Sequence, residues 1–169
     1  MLGARGRRLC LCDWMAEGRV EKTLRMIGRH APEFHGPEEE DESVLDLAVR
    51  QLDGYFAGKL REFDLPLLLL GSDFRMRVWK ALAEVPYGCT QTYGRLARNL
   101  GRPSAVRAVG GAVGANPLSI FIPCHRIVGA GGSPGGYAGG LEAKRLLLAL
   151  ERDAGILKCD NVSDTFGEF

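Results

Sequence analysis

Nothing in the sequence approaches the roughly 18 consecutive apolar residues of a membrane-spanning helix. The longest apolar run, Leu65 to Leu70, contains Pro66. The arginines near the N-terminus are followed by no signal-like apolar stretch, so neither a membrane partner nor secretion is expected. No disulfide framework is expected: five cysteines cannot all pair, and Cys10-x-Cys12 is a poor spacing for one. No internal repeat is visible. With 46% apolar and 25% charged residues, the composition excludes disorder, collagen and coiled coil. A reducing compartment is therefore expected, cytoplasmic, or nuclear in a eukaryotic source.

The 169 residues suffice for one large domain or two small ones, with a real core. The net charge of +1 conceals an asymmetry. Residues 1–70 hold 10 Lys/Arg against 13 Asp/Glu, a net of −3; residues 71–152 hold 11 against 4, a net of +7; the last 17 residues are −3 again. A basic middle between acidic ends suits a nucleic-acid surface on one part of the molecule, or an ordinary surface with uneven charge.

Arg8–Cys12 alternates apolar with polar or thiol residues, as a strand would, and residues 19–30 fit a short helix or another strand. His35 to Glu42, with five consecutive acids from Glu38, reads as an exposed loop, after which Ser43 is an N-cap candidate. Val44, Leu45, Ala48, Leu52, Tyr55 and Phe56 then recur at helical spacing. Leu65–Leu70 reads as an edge or irregular segment, and a domain boundary fits between about residues 59 and 72. Ser72 is placed to cap a helix carrying Phe74, Val78, Trp79 and Leu82. Thr92 is placed to cap a short helix that Gly101 ends, and Ser104 to cap a third helix over 105–115, stopped by Asn116-Pro117. The last two form a candidate helix-turn-helix. Leu118 to Pro123 is β-rich. Gly129 to Gly140 holds seven glycines, and Leu141 to Arg152 is amphipathic with Ala143, Leu146, Leu147 and Leu150 as the expected buried stripe.

Cys124 follows the β-rich run and precedes His125 and Arg126. A thiol attacks as its thiolate, and a neighbouring imidazole or cation favours that form. In a regular strand successive side chains oppose each other, so His125 serves Cys124 only if Pro123 ends the strand and the chain turns there. A small buried hydrophobe is the plainer role for such a cysteine. The third helix places Gly110, Gly111 and Gly114 among alanines, with Arg107 as its one long cation. Each glycine costs about 1 kcal/mol against alanine, so a slim face is needed either for helix packing or for a minor groove about 6 Å wide.

Ile122-Pro-Cys-His-Arg-Ile-Val128 resembles the active-site signature of the O6-alkylguanine-DNA alkyltransferases. Thr92–Ala97 and Ala105–Ala112 resemble that family's helix-turn-helix. Asn116-Pro117 resembles its hinge, Gly136–Gly140 its substrate loop, and Leu146–Glu151 its closing helix. The resemblance is strong over about 72–152 and weak over 1–70. It implies a small ribonuclease-H-like α/β domain (1–70), a helical winged-helix-like catalytic domain with a helix-turn-helix (71–155), and a tail (156–169).

The activity implied is irreversible transfer of an alkyl group, methyl above all, from O6-alkylguanine in duplex DNA to the protein's own cysteine. O4-alkylthymine is a further candidate lesion. The damaged nucleotide would be flipped out after minor-groove binding. The resemblance makes Cys124 the acceptor, His125 the base acting through a water, Glu151 its orienting acid, Asn116 the hinge brace and Tyr93 a phosphate contact and proton donor. DNA contacts would come from Tyr93, Arg102, Ser104, Ala105, Arg107, Gly111 and Arg126, with Arg107 filling the stack. Pro123, Cys124, Tyr137, Ala138 and Gly139 would hold the base. Ala138 stands where relatives often offer a hydroxyl, and Pro134-Gly135 reshapes the loop. A monomer without cofactor is expected. No metal is expected either, because Cys10, Cys12, His30 and His35 match no four-ligand spacing. Two rivals remain on the residues alone: a cysteine hydrolase, which leaves the helix-turn-helix unexplained, and a non-catalytic sensor of alkylated bases, for which Cys124 is superfluous.

Overall fold

The computed structural model describes residues 1–31 and 39–153. The expected tail at 156–169 and the loop residues 35–38 lie outside the described residues. The chain opens with a hairpin, β1 (Leu2–Arg5) antiparallel to β2 (Arg8–Cys12). Gly6 and Arg7 turn between them with φ of 55° and 58°, the paired positive angles that match a two-residue turn to strand twist. Leu9 through Cys12 are all buried, because both faces of β2 are covered.

Residues 19–30 form a helix, α1 (Arg19–His30), which turns Thr23 and Ile27 inward, half-buries Arg19 and leaves Lys22, Arg25, Arg29 and His30 outside. The next helix, α2 (Glu39–Phe56), starts four residues before Ser43, so Ser43 is not its cap and residues 39–42 are not loop. Asp41 and Glu42 in its first turn complement the positive end of the helix dipole. Asp41 is in addition buried and accepts from the Arg7 backbone N–H at 2.8 Å. The helix packs across both strands. Residues 65–70 are irregular, as Pro66 requires, and dock on β2: Leu9 N donates to Pro66 O at 2.9 Å, and Leu68 N to Leu9 O at 2.8 Å.

Beyond this segment the architecture is helical. In α3 (Asp73–Ala83) Ser72 holds the N-cap position, but its hydroxyl makes no capping bond. A two-residue strand, β3 (Gln91–Thr92), leads into α4 (Tyr93–Asn99), where the Thr92 hydroxyl accepts from Arg95 N at 3.2 Å as a capping residue should. The third helix of this region, α5 (Val106–Gly114), begins later than expected, and Ser104 does not cap it. Ala105 N donates to Arg102 O at 2.9 Å, so Ser104 lies inside a turn and Ala105 takes the cap position. Trp79 on α3 is fully buried against α5 and donates from Nε1 to Ala112 O at 2.8 Å.

Leu118–Pro123 is not a regular strand. Ile122 N bonds back to Leu118 O at 2.8 Å, and Ile120 sits at φ 76°. The Asn116 side chain closes this loop, accepting from Leu118 N at 3.0 Å and donating to Ile122 O at 2.9 Å. Local side-chain bonding thus overrides β propensity. A 3-10 turn over Cys124–Arg126 follows, then β4 (Ile127–Val128), parallel to β3. The last described helix, α6 (Gly140–Asp153), corrects the expected stripe: Leu147 is buried, Leu146 is 65% exposed, and Lys144 is fully buried.

One core joins the two halves. Leu9, Cys12 and Ala48 from the N-terminal part share a cluster with Val78, Trp79, Leu96, Val113, Ile122 and Ile127. The joint is also hydrogen-bonded, since Cys12 N donates to Pro117 O at 2.8 Å and Ser119 N to Cys12 O at 2.7 Å. β2 therefore supports the segment that delivers Cys124. Among the described residues no helix is long and apolar enough to cross a membrane.

Candidate active site

The turn that the Cys124–His125 pair needs is present. Pro123, at ψ 60°, takes the chain out of extended geometry, and the 3-10 turn begins at Cys124. Strand alternation therefore does not separate the two side chains. Cys124 is 5% exposed, and burial raises its thiol pKa above the usual value. A hydrogen bond from Asn116 and the charges of Arg19 and Lys144 oppose that rise.

His125 is fully buried, and its Nε2 lies 2.8 Å from Glu151 Oε1. Burial lowers its pKa, against the pull of Glu151, so the neutral imidazole is the resting form. With Nε2–H donating to a carboxylate, the lone pair sits on Nδ1, which has no hydrogen-bond partner among the described residues. A base aimed by an acid is the result.

Glu151 is the hub of a larger network than the sequence indicates. Arg126 donates to it from Nε at 2.9 Å and from Nη2 at 2.9 Å, Tyr55 Oη at 2.8 Å and Gly88 N at 3.1 Å. Burial alone would raise its pKa, but the bonds from His125 and Arg126 outweigh burial and hold it at about 2. Arg126, expected at the DNA surface, is instead buried, and its Nη1 donates to Val85 O at 2.5 Å. A cation placed between a carboxylate and a carbonyl does not reach a phosphate outside. Tyr55, from α2, and Gly88 have no recognisable motif and are visible only through the fold.

Cys124 opens into a cavity of about 330 Å³ whose walls include Tyr93, Gly110, Val113, Tyr137 and Ala138. Of the expected base-holding residues, Pro123 and Gly139 do not line it. Pro123 faces a separate cleft with Arg61 and Tyr87. Gly139 lies under the Trp14 indole, where a Cβ would come within 2.5 Å of the ring, so glycine is required for packing. Trp14 Nε1 donates to the Tyr137 hydroxyl at 3.2 Å and so holds the loop side of the cavity. Burial raises the pKa of Tyr93 and of Tyr137, with Cys124 adding to both, so each phenol keeps its proton. Lys144 Nζ donates to Ile127 O at 2.6 Å and to Pro134 O, tying the glycine-rich loop to β4.

Arg102, Ser104, Arg107 and Gly111 are exposed, and Ala105 is half-buried. A Cβ on Gly111 or Gly114 would meet nothing within 4 Å. The slim face of α5 at these two positions is therefore open rather than used for helix packing. Among the possible metal ligands, Cys10 and Cys12 are buried, with thiol pKa values pushed up to about 11 and about 12, mainly by burial. His35 lies outside the described residues.

Residues 73–153 match the family model described as the DNA-binding domain of 6-O-methylguanine DNA methyltransferase, and residues 5–69 match its ribonuclease-like domain. The chain belongs to the 6-O-methylguanine DNA methyltransferase family. Similar family members include the methylated-DNA–protein-cysteine methyltransferase of Mycobacterium bovis, 48% identical over 135 residues, covering 80% of this chain and 82% of that protein. The protein of that name from Mycolicibacterium paratuberculosis is 57% identical over 105 residues, 62% of this chain and 64% of its own length. Among solved structures, Mycobacterium tuberculosis OGT in complex with DNA matches with a TM-score of 0.75 and 42% identity, over 90% of this chain and 86% of that one. The O6-methylguanine-DNA methyltransferase of Pyrococcus kodakaraensis matches with a TM-score of 0.55 and 30% identity, over 88% and 89%. The family thus has a ribonuclease-like part and a DNA-binding part, and this chain carries both.

Proposed function

We propose that this protein repairs DNA directly, by moving an alkyl group from guanine O6 to Cys124 once per molecule. The observation that carries this reading is the cavity itself: Cys124 forms part of one wall, and Gly110, Val113 and Gly114 of α5 form part of another. A nucleophile beside a slim, open helix suits a base delivered from a groove. Family membership supports the same reading, as does the name of the M. tuberculosis complex with DNA.

The chemistry follows from the network. His125 Nδ1 takes the Cys124 proton through a water, and Glu151 steadies the imidazolium that results. The Sγ–C bond forms as the C–O6 bond breaks. Guanine leaves as its anion and takes a proton, which we assign to the phenol of Tyr93, a residue lining the cavity. The resting thiol is protonated because burial disfavours the thiolate, so the base acts only when substrate is in place. The thioether has no resolving group beside it, and the protein is spent.

The α4–α5 pair acts as a helix-turn-helix with α5 in the minor groove. Stacked guanine hides O6 from a buried thiol, so the nucleotide must be flipped, at a cost of a few kcal/mol. Exposed Arg107, near the start of α5, fills the gap and offsets part of that cost. In this division residues 1–70 support the site and residues 71–155 carry it. Intact-mass spectrometry after incubation with a duplex containing O6-methylguanine tests the reading. It should show one added CH2 per molecule, on Cys124. An adduct on another cysteine, or continued turnover, would overturn it.

A further inference from the structure

The exposed face of α1 is strongly basic. Lys22, Arg25 and Arg29 are exposed on it at three- and four-residue spacing, which is one side of a helix. With the half-buried Arg75 of α3 they line an open cleft of about 400 Å³. None of the four has an ion-pair partner among the described residues; Arg25 only donates from Nε to the Glu21 carbonyl at 3.3 Å. Like charges at such spacings destabilise a helix by about 0.2–0.5 kcal/mol per pair, a repulsion that an anionic counterpart would relieve.

The place of this cleft says which anion. Lys22, Arg75 and Ala115 line it and also line the adjoining cleft, whose floor is Ala108, Gly111 and Ala112 of α5. Arg19 lines both the basic cleft and the Cys124 cavity. One surface therefore runs from the cysteine, along the slim face of α5, to the cations of α1. Seven residues of helix span about 10 Å. That is about the rise of three phosphates along one DNA strand.

We propose that Lys22, Arg25, Arg29 and Arg75 bind the phosphate backbone of the duplex whose damaged base enters the Cys124 cavity. The N-terminal part is then part of the DNA footprint rather than only a support. This rests on the repair reading above and extends it to a surface outside the catalytic part.

The test is the salt dependence of binding of the full chain to an undamaged duplex, followed by fluorescence anisotropy across a KCl series. Each phosphate that the protein no longer neutralises lowers the slope of log K against log salt by about 0.9 on B-DNA. The triple variant Lys22→Gln/Arg25→Gln/Arg29→Gln should lower it by about 2 to 3. Methyl transfer from free O6-methylguanine base should be unchanged. The charge-keeping set Lys22→Arg/Arg25→Lys/Arg29→Lys should retain the wild-type slope. A control triple of exposed cations away from the cleft, Lys59→Gln/Arg145→Gln/Arg152→Gln, should also retain it. If the triple variant folds poorly, the single Lys22→Gln should lower the slope by about 0.9. An unchanged slope, or an equal fall in the control triple, overturns the proposal while leaving repair intact. Failure of the wild type to alkylate Cys124 at all would instead sink the repair reading.

Discussion

Arg19, the first residue of α1, donates from Nη2 to the backbone carbonyl of Asn116 at 2.9 Å. The same guanidinium donates from Nη1 to Gly114 O at 2.6 Å and from Nε to Asp13 Oδ2 at 2.7 Å. Asp13 in turn accepts from the Thr23 hydroxyl at 2.7 Å. An N-terminal arginine thus ends α5 and braces Asn116, whose side chain closes the loop that leads to Cys124.

Replacing Arg19 by alanine should remove about 1.5–3 kcal/mol of stability, the range for hydrogen bonds to a charged group, and leave Asp13 buried without its cation. Because the change acts on the hinge, single-turnover rates on duplex and on free alkylated base should fall by the same factor. Arg19→Lys should recover only part of the loss, since one ammonium cannot reproduce a three-way fork. Denaturant midpoints and the two rates check this; an unaltered midpoint would contradict it.

Glu151→Gln should slow methyl transfer by up to ~10²–10⁴-fold, the usual worth of a positioned base. Duplex binding should stay near wild type. The variant should also be less stable by about 3–5 kcal/mol, because Arg126 is left as a buried, unpaired charge. Single-turnover rates within threefold of wild type for both Glu151→Gln and His125→Ala would remove the two residues from the proton path.

Arg107→Ala separates flipping from chemistry. On the proposed reading, duplex repair calls for a filler of the vacated stack, and attack on the free base does not. The duplex rate should therefore fall far more than the free-base rate. Gly111→Glu should weaken duplex affinity alone, since its Cβ has open space in the fold but brings bulk and a negative charge to the groove face. Equal losses on both substrates for Arg107→Ala would assign that residue to the fold or the chemistry.

The pH dependence has a definite sign. Burial lowers the His125 pKa below its ordinary 6.5, so the imidazole stays neutral and able to accept a proton as pH falls through 6.5. The single-turnover rate on free base should hold through that value and drop only at lower pH. For stability, the unfolded chain binds more protons than the folded one, first at histidine below 6.5 and then at Glu151 between 4.5 and about 2. Stability should therefore be highest between about 6.5 and 9, where the buried thiols are still protonated in both states, and fall toward pH 2. Urea midpoints at pH 7, 5 and 3 that do not decrease would contradict this.

The sequence by itself determined the parts that depend on local chemistry. Ile122–Val128 carried the nucleophile and its neighbours, Thr92 announced its cap with a hydroxyl three residues before Arg95 N, and Pro66 marked an irregular segment. The glycines of α5 stated a need for a slim face without saying for what. Tertiary structure decided the rest, because long-range partners leave no local periodicity. It alone showed that Gly111 and Gly114 face open space, that Arg126 turns inward to Glu151, and that Tyr55, 96 positions from Glu151, shares the same carboxylate. It also turned Lys144 inward where apolar spacing favoured Leu146, because Ile127 O and Pro134 O gave its ammonium acceptors inside the fold. Apolar patterning reports which side chains avoid water; it is silent about which charges find partners away from it.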